Sequence, residues 1–388
     1  MVQFGIDMLL QQNPSWKTKS IALVTNHAAT TNTLIPSRKA LVDNGFNITT
    51  LFAPEHGLDV QGADGHLMHD GTDALTNLPI ISLYGTQLQP SAKDLENIDI
   101  VLFDIPDIGC RYYTYLWTMT YVLEACAEHK KQLIVLDRPN PISGNIALAE
   151  GPMLDALNCS SFIGRWQIPL RHSCTMGELA LYFNAVKKLQ VALEVIRCNN
   201  WNRHLFQPQW GIDFVATSPA IKKFEAALLY PGLGLLEATN ISEGRGTDKS
   251  FQIAGAPWFD ATTVCEVFNQ IQDDVVLKAI QFTPTESKYG DEQCNGVSFG
   301  VEDAAQFQPV FTALLFIKLV KDIHANDLKW QPYPTLVNPT GKHHLDKLMG
   351  IPNSESLFDL PFQSFLKEIE QVTKLQNWED AIADFLLY

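Results

Sequence analysis

The segment Pro54-Glu55-His56-Gly57 offers the clearest setting for acid catalysis in this sequence. It follows residues 48–53, an apolar run that predicts a buried strand, so the Glu55 carboxyl would lie partly desolvated at the strand's end. Desolvation raises a carboxyl pKa towards the value that a general acid needs near neutral pH. The alternative is a glutamate that only caps the following turn. The flanking proline and glycine favour the catalytic interpretation, in which His56 orients or tunes the acid.

Asp104 and Asp107 follow a second apolar run, and Arg111 and Tyr112 come shortly after them. Carboxylates accept hydrogen bonds from sugar hydroxyls, and aromatic rings stack on the apolar faces of pyranose rings. The planar fork of Arg111 suits the carboxylate of a ligand. An aspartate–arginine pair that merely fixes the loop is the alternative. The segment therefore predicts either a sugar site or a braced loop.

The main polar loop of the second half spans residues 240–247. Glycines on both sides of Arg245 allow backbone to approach a ligand closely. If the loop faces the same cleft, Glu243 supplies a second carboxylate, Arg245 an anion clamp and Thr247 a hydroxyl. The alternative is a glycine-rich hairpin turn whose charges are incidental.

Other polar residues also follow predicted strands, where parallel sheets bind their ligands. The loop 137–141 is stiffened by two prolines, which suits a positioning element and equally a common turn. The histidine at 172 precedes a capping box formed by Thr175 and Glu178, so a structural histidine is its alternative. The predicted substrate-binding residues from these loops are Asn26, His27, Asp137, Arg138, Asn140 and His172.

A metal site is the competing interpretation of the histidine-rich stretch after Glu55. It would use His56, His66 and His69 with Asp64 and Asp70 as a hydrolytic zinc site. No HExxH or similar helical spacing supports it. We therefore predict neither a metal ion nor another cofactor.

The elements that must position these residues alternate between short apolar strands and amphipathic helices. Such alternation predicts βαβ units and an α/β fold with a Rossmann-like, mostly parallel sheet. The polar loops at the strand ends should then meet in one cleft. No GxGxxG follows the first strand and no GxxxxGK[ST] occurs, which argues against dinucleotide enzymes and P-loop NTPases. The predicted strands are residues 21–26, 48–53, 80–84, 98–104 and 132–137, and the clearest helix is 118–131.

The pattern changes after about residue 205. Strands predicted at 233–241, 251–254, 276–283 and 296–301, with helices at 311–323 and 365–375, indicate a smaller mixed α+β domain. We expect a Rossmann-like catalytic domain over residues 1–205 and a domain over 206–388 that completes the active site from across the cleft.

The amino-acid composition limits the kinds of ligand and partner that we expect for this protein. The net charge of −15 repels phosphate backbones, so nucleic acid is not expected as a ligand. No apolar stretch is long enough to insert into a membrane.

Seven dispersed cysteines without CxxC spacing argue against a disulfide framework and a structural zinc site. The cysteines and the lack of a basic and apolar leader favour the cytoplasm, or the periplasm or exterior if an export signal was removed. The oligomeric state is left open.

Taken together, the motifs resemble the NamZ/YbbC family of exo-β-N-acetylmuramidases over nearly the whole length. The resemblance implies release of terminal N-acetylmuramic acid from the non-reducing ends of peptidoglycan fragments, in cell-wall turnover and recycling. It also implies an active site between the two domains and no cofactor. The matching segments include Leu23-Val-Thr-Asn-His27, Leu51-Phe-Ala-Pro-Glu-His-Gly57, Leu136-Asp-Arg-Pro-Asn-Pro141, Pro169-Leu-Arg-His172, Thr239-Asn-Ile-Ser-Glu-Gly-Arg-Gly-Thr247 and Leu-Leu-Tyr388.

Glycoside hydrolysis needs an acid for the leaving oxygen and a second group for the reacting carbon or its water. Our hypothesis makes Glu55 the general acid and either Glu243 or Asp104 its partner, unless the substrate's 2-acetamido group assists. Either Arg111 or Arg245 would hold the lactyl carboxylate. The competing functions are a metal-dependent amidase or deacetylase on cell-wall sugars and a non-catalytic muropeptide-binding protein.

Overall fold

A seven-stranded sheet forms the centre of the first domain in the computed structural model, which describes residues 1–63 and 65–388. The order across this sheet is β3-β4-β2-β1-β5-β6-β9, and a two-stranded sheet pairs β7 with β8. The second domain contains a three-stranded sheet in the order β10-β12-β11. The strands are β1 Ile21–Thr25, β2 Ile48–Ala53, β3 Gly71–Thr72, β4 Pro79–Ser82, β5 Ile100–Asp104, β6 Gln132–Leu136, β7 Glu150–Met153, β8 Pro169–Arg171, β9 Leu193–Ile196, β10 Ile253–Ala256, β11 Val275–Phe282 and β12 Cys294–Val301.

Helices cover both faces of the large sheet and one side of the small one. The α-helices are α1 Gly5–Gln12, α2 Ser37–Asp43, α3 Ala92–Leu95, α4 Tyr115–Glu128, α5 Met176–Val186, α6 Phe224–Leu233, α7 Ala261–Ile271, α8 Pro309–Ile323, α9 His344–Met349, α10 Phe362–Thr373 and α11 Trp378–Ile382. No helix in the described part of the chain has the length and apolar character needed to cross a membrane.

The large sheet is parallel except for its edge strand β3, which runs antiparallel to β4. Its central strands are buried on both faces, which explains their nearly continuous apolar sequences. Alternate residues belong to different cores: Val24 and Phe103 pack on the side of α4 and α5, whereas Leu23 and Leu102 pack on the side of α1 and α2. The prediction of an α/β fold with a mostly parallel sheet is confirmed.

The second domain is mixed, as predicted, but its first element is not the expected strand at 233–241. Residues 224–233 form α6, and a 3₁₀ helix, Gly234–Ala238, follows it. The apolar residues from 233 onward have the sequence pattern of a buried strand because they are buried on every side. Gly232 explains how α6 packs: a Cβ at this position would collide with the carbonyl of Pro309, so glycine allows α6 to approach α8 closely.

The two domains share one apolar core. The cluster on the α4 side of the large sheet continues through Trp117 and Leu229 to Phe316 on α8. The chain passes from the large sheet to the small one between β9 and β10, a stretch that includes the predicted boundary at 205/206. Within that stretch, residues 207–217 still pack on the first domain, since Gln207 donates its backbone N–H to Pro141 at 2.9 Å.

The C-terminal segment returns to the first domain. Trp378 donates its indole N–H to the carbonyl of His172 at 3.0 Å, and the Leu387 backbone N–H donates to Glu178 at 2.9 Å. The Tyr388 hydroxyl donates to Asp137 Oδ2 at 2.7 Å and accepts the Cys198 N–H at 2.8 Å. The chain thus crosses between the domains a second time.

Candidate active site

A cavity lies between the two domains, at the carboxyl end of β2. It contains about 750 Å³ of space that protein atoms do not fill, part of it open to solvent. The first domain contributes Glu55, His56 and Thr114 to its wall, and the second contributes Glu237 and Arg245. A wider groove adjoins the cavity, because His56 and Arg245 line both. Ionisable groups from both domains therefore line one cavity.

Glu55 is buried in the first-domain wall, and both of its carboxyl oxygens are held. Oε1 accepts the backbone N–H of Gly65 at 3.1 Å, and Oε2 lies 2.6 Å from the Thr114 hydroxyl. A hydroxyl can donate to a carboxylate or accept from a carboxylic acid, so this contact is compatible with both protonation states. A group that gives up and regains a proton needs such a setting.

His56 follows Glu55 in a left-handed backbone conformation, with φ of 66°. Such a conformation is costly for a residue with a Cβ and persists only where the surroundings impose it. The Nδ1 atom lies 2.8 Å from the Gly62 carbonyl, which can only accept, so Nδ1 carries the proton. In the neutral ring, Nε2 is then the acceptor. The tight turn after β2 thus presents a carboxyl and an imidazole side by side.

Aromatic rings line much of the cavity. The Tyr112 hydroxyl donates to the Tyr230 carbonyl at 2.6 Å, and the Tyr113 hydroxyl donates to Thr217 Oγ1 at 2.8 Å. The Tyr230 ring meets Phe251 edge to face at 4.7 Å between centroids. These rings form part of the cavity wall, although each is largely buried. Tyr112, a predicted substrate-binding residue, is among them.

Arg245 reaches the cavity from the loop after the 3₁₀ helix and is bound by two carboxylates. Its Nη2 donates to Glu237 Oε1 at 2.7 Å, and its Nε lies 3.2 Å from Glu243 Oε1. Lys288 Nζ contacts the other Glu243 oxygen at 3.0 Å. Burial alone would raise the pKa of the Glu243 carboxyl, but the Lys288 and Arg245 cations outweigh it and hold that pKa below its ordinary value. Glu243 lies behind Arg245 and positions it, and does not line the cavity.

Glu237 is the cavity carboxylate that the sequence analysis missed. Its Oε2 lies 3.6 Å from Nε2 of His344, whose ring stacks on Tyr333 at 4.8 Å between centroids. Glu237 fell within the wrongly predicted strand at 233–241. The available signal was a single acid in the apolar run Leu233-Gly-Leu-Leu-Glu-Ala, since an acid rarely lies buried without a partner.

Asp104 is not in the cavity, contrary to its proposed role as catalytic partner. It is fully buried and forms a bidentate ion pair with Arg138, at 2.6 and 3.0 Å. Arg138 also donates to the Thr30 carbonyl at 2.8 Å. Because β5 and β6 are neighbours, the charges at their ends meet and neutralise each other. This pair braces the sheet, and Asp104 has no access to the cavity.

Arg111 is also unable to act as the predicted anion clamp. Its guanidinium is fully buried and donates to the carbonyls of Pro152, Ile168 and Leu348 at 2.6, 3.1 and 2.8 Å. Burial lowers the pKa of Arg111 to about 10. Since Leu348 belongs to α9 of the second domain, Arg111 joins the domains and has no surface on the cavity.

Asp107 and His172 pair with each other, with Asp107 Oδ2 3.1 Å from His172 Nε2. Asp107 and Arg138 line a second, smaller cavity of about 480 Å³ that residues 207–217 cover. His27 is exposed in a third groove, beside Arg38 at 3.5 Å. The predicted convergence of four strand-end loops on one cleft is therefore partly wrong. The loop after β2 and the segment between β5 and α4, through Tyr112, Tyr113 and Thr114, line the main cavity, whereas the loops after β1 and β6 do not.

The remaining predicted residues stabilise loops or lie at the mouth of the cleft. Asn26 and Asn140 accept backbone N–H groups two residues further on, at 3.1 Å each. Asp137 is fully buried and bonded to Tyr388, and burial raises the pKa of its carboxyl to about 6. Thr247 lines the outer groove and donates to the Gly244 carbonyl at 2.6 Å.

Most of the residues considered for a metal site lie within the described part of the chain. His66, His69 and Asp70 are exposed, and Asp64 lies outside the described residues. Over residues 1–63 and 65–388, no group of three or more histidines, cysteines or acids is arranged to hold a metal ion.

Comparisons with known proteins agree over the whole length of the chain. Residues 21–225 match the family model described as the N-terminal part of exo-β-N-acetylmuramidase NamZ, and residues 228–388 match its C-terminal part. The chain is 38% identical to the peptidoglycan β-N-acetylmuramidase NamZ of Bacillus subtilis strain 168, covering 97% of this chain and 90% of that protein.

Two crystal structures from Bacteroides fragilis, both of proteins from the DUF1343 family, have the same fold. One has a TM-score of 0.88 at 28% identity and the other a TM-score of 0.72 at 25% identity. Each alignment covers 100% of this chain and 99% of the other.

Proposed function

Because the chain belongs to the exo-β-N-acetylmuramidase NamZ family, we propose that it is a glycosidase that releases N-acetylmuramic acid from the non-reducing ends of peptidoglycan fragments. The observation that carries the proposal is the cavity that brings Glu55, Glu237 and an aromatic wall together between the domains. Its lining, with carboxyl groups beside aromatic rings, suits a sugar.

Glu55 is the proposed general acid. Its proton goes to the glycosidic oxygen as the bond from that oxygen to the anomeric carbon breaks. Water then adds its oxygen to the anomeric carbon, and the proton that water releases restores the acid. Thr114 exchanges hydrogen-bond roles with Glu55 between its two protonation states. His56 fixes the turn that presents the acid.

Glu237 replaces Glu243 and Asp104 as the proposed partner carboxylate. Among the described residues, Glu55 and Glu237 are the carboxylates that line the cavity. A negative charge there stabilises the oxocarbenium-like carbon, or orients the substrate's acetamido group if that group assists. Arg245 and His344 hold Glu237 in place.

A defined disaccharide tests the proposal. Incubation with N-acetylmuramic acid β-1,4-linked to N-acetylglucosamine should release both monosaccharides, detected by mass spectrometry. The reversed disaccharide, with glucosamine at the non-reducing end, should stay intact. Binding without cleavage would instead support the muropeptide-binding alternative, and activity abolished by a chelator would support the metal-dependent one.

A further inference from the structure

Lys347 brings into the cavity a cation that the mechanism above does not use. It lies on α9, and its side chain lines the cavity from the second-domain side. Its ammonium has no hydrogen bond or ion pair with any described residue, although burial lowers the pKa of this lysine. A partly desolvated cation with no counter-charge is a suitable site for an anionic group of a ligand.

The other cation of the cavity cannot serve this purpose as well. Arg245 already contacts Glu237 at 2.7 Å and Glu243 at 3.2 Å. Two carboxylates already offset its charge, and its Nη2 donates a hydrogen bond to one of them. An incoming anion would have to compete with both, whereas at Lys347 it would face no described carboxylate within ion-pair distance.

The backbone that carries Lys347 is firmly held. His344 and Leu348 flank it on the same face of α9 and also line the cavity. The Leu348 carbonyl accepts from the buried Arg111, and the His344 ring stacks on Tyr333. A charge on a braced element is preorganised for its ligand, which limits the entropy lost on binding.

N-acetylmuramic acid differs from N-acetylglucosamine by a lactyl ether on C3, which ends in a carboxylate. C3 is separated from the anomeric carbon by C2, and the lactyl group extends outward from the ring, so its carboxylate reaches a different part of the cavity wall from the anomeric carbon. An acid acting at the anomeric carbon and a cation holding the lactyl group should therefore come from different walls of one cavity. Glu55 and Lys347 meet this requirement, since they come from different domains.

We propose that Lys347 binds the lactyl carboxylate of the terminal sugar and so sets the preference for muramic acid over glucosamine. This assignment rests on the proposed function, and it replaces Arg111 and Arg245 in the clamp role. Lys347 is then a specificity-determining residue of the same site.

The test compares two glycosides that share one chromogenic leaving group, a muramic-acid glycoside and a glucosamine glycoside. Lys347→Met should lower kcat/KM for the muramic-acid glycoside by about 10- to 100-fold, the usual range for a lost charge-assisted hydrogen bond. The value for the glucosamine glycoside should change by less than about 3-fold, because that substrate has no carboxylate. Lys347→Arg should keep most of the preference.

Lys342→Met is the matched control, because Lys342 is exposed a few residues earlier and does not line the cavity. It should leave both glycosides unaffected. A methyl ester of the lactyl group should react with the wild type as poorly as the acid reacts with Lys347→Met. The reaction of Lys347→Met with the methyl ester should show no further loss of kcat/KM, because the substitution and the ester remove the same interaction.

Equal losses on both glycosides would overturn the assignment in favour of a structural role, and an unchanged preference would overturn it outright while leaving the muramidase function intact. If the wild type cleaves neither glycoside, the proposed function fails. Binding of free N-acetylmuramic acid, measured by calorimetry, then tests the role of Lys347 separately. Weaker binding by Lys347→Met than by the wild type supports the assignment. No binding by the wild type, or equal binding by both proteins, refutes it.

Discussion

Glu55 is the residue on which the proposed chemistry depends most directly. The sequence indicated it because the flanking Pro54 and Gly57, at the end of a predicted buried strand, favoured a catalytic glutamate over a capping one. In the structure it lines the interdomain cavity. Sequence reasoning could not show which neighbours would join it. Asp104 and Arg111 have the right chemical types but pair with groups inside the protein. That outcome depends on which strands are adjacent, and residue type does not encode it.

Glu55→Gln should lower kcat on a muramic-acid glycoside by at least about 10²-fold, since the amide cannot donate the proton. The amide keeps the volume of the side chain, so the melting temperature should stay close to the wild-type value. Glu96→Gln, at an exposed position, is the control and should be fully active. Activity near that of the control would remove Glu55 from the acid role.

Glu243→Gln should destabilise the fold by about 3 kcal/mol, because it leaves Lys288 without its buried counter-ion and Arg245 with Glu237 alone. The pKa of Glu243 is lower in the folded protein than in the unfolded chain. Its stabilisation is therefore complete above the unfolded pKa of about 4.3 and is lost as pH falls through the folded value.

Urea unfolding of the wild type and of Glu243→Gln from pH 7 down to pH 3 checks this assignment. The difference in free energy of unfolding should shrink on acidification. Glu292→Gln, an exposed acid on a nearby segment, should show no such difference at any pH. If the difference in free energy of unfolding between the wild type and Glu243→Gln stays constant with pH, the electrostatic explanation is contradicted.

The elements of the first domain follow from the sequence more directly than its loops do. Strands β1, β2, β5 and β6 lie within about two residues of their predictions, because strands covered on both faces are apolar throughout. The same rule failed at 233–241, where the end of α6 and the 3₁₀ helix after it are buried on all sides and lack an amphipathic pattern. Glu237 was missed along with it. The cover that residues 207–217 place over the second cavity is a long-range contact that no local pattern reveals.

The contact between α6 and α8 gives a prediction at this scale. Gly232→Ala should destabilise the protein by at least about 2 kcal/mol, since the new Cβ would collide with the Pro309 carbonyl and push the helices apart. Thermal unfolding measures it. Gly290→Ala is the control, because the nearest atoms leave room for a Cβ there, and it should be nearly neutral. Equal melting temperatures for the two variants would refute the close-approach role of Gly232.

At the scale of the whole molecule, the returning C-terminal segment ties the domains together. Tyr388→Phe should cost about 1–3 kcal/mol, because it removes a donor from buried Asp137 and an acceptor from the Cys198 N–H. Chemical denaturation gives the value. Tyr121→Phe is the control, since its hydroxyl makes no hydrogen bond with the described residues. A loss no larger than that of the control would show that the Tyr388 hydroxyl contributes little.

The position of Tyr388 also constrains the order of events during synthesis. Asp137 leaves the ribosome some 250 residues before the tyrosine that satisfies it, given the sequence separation of 251. The Asp137 carboxyl of the first domain therefore lacks one of its hydrogen-bond donors until translation has passed through the second domain. Folding of each part as it leaves the ribosome cannot complete the first domain, because Asp137 obtains this donor from a residue that is made 251 positions later.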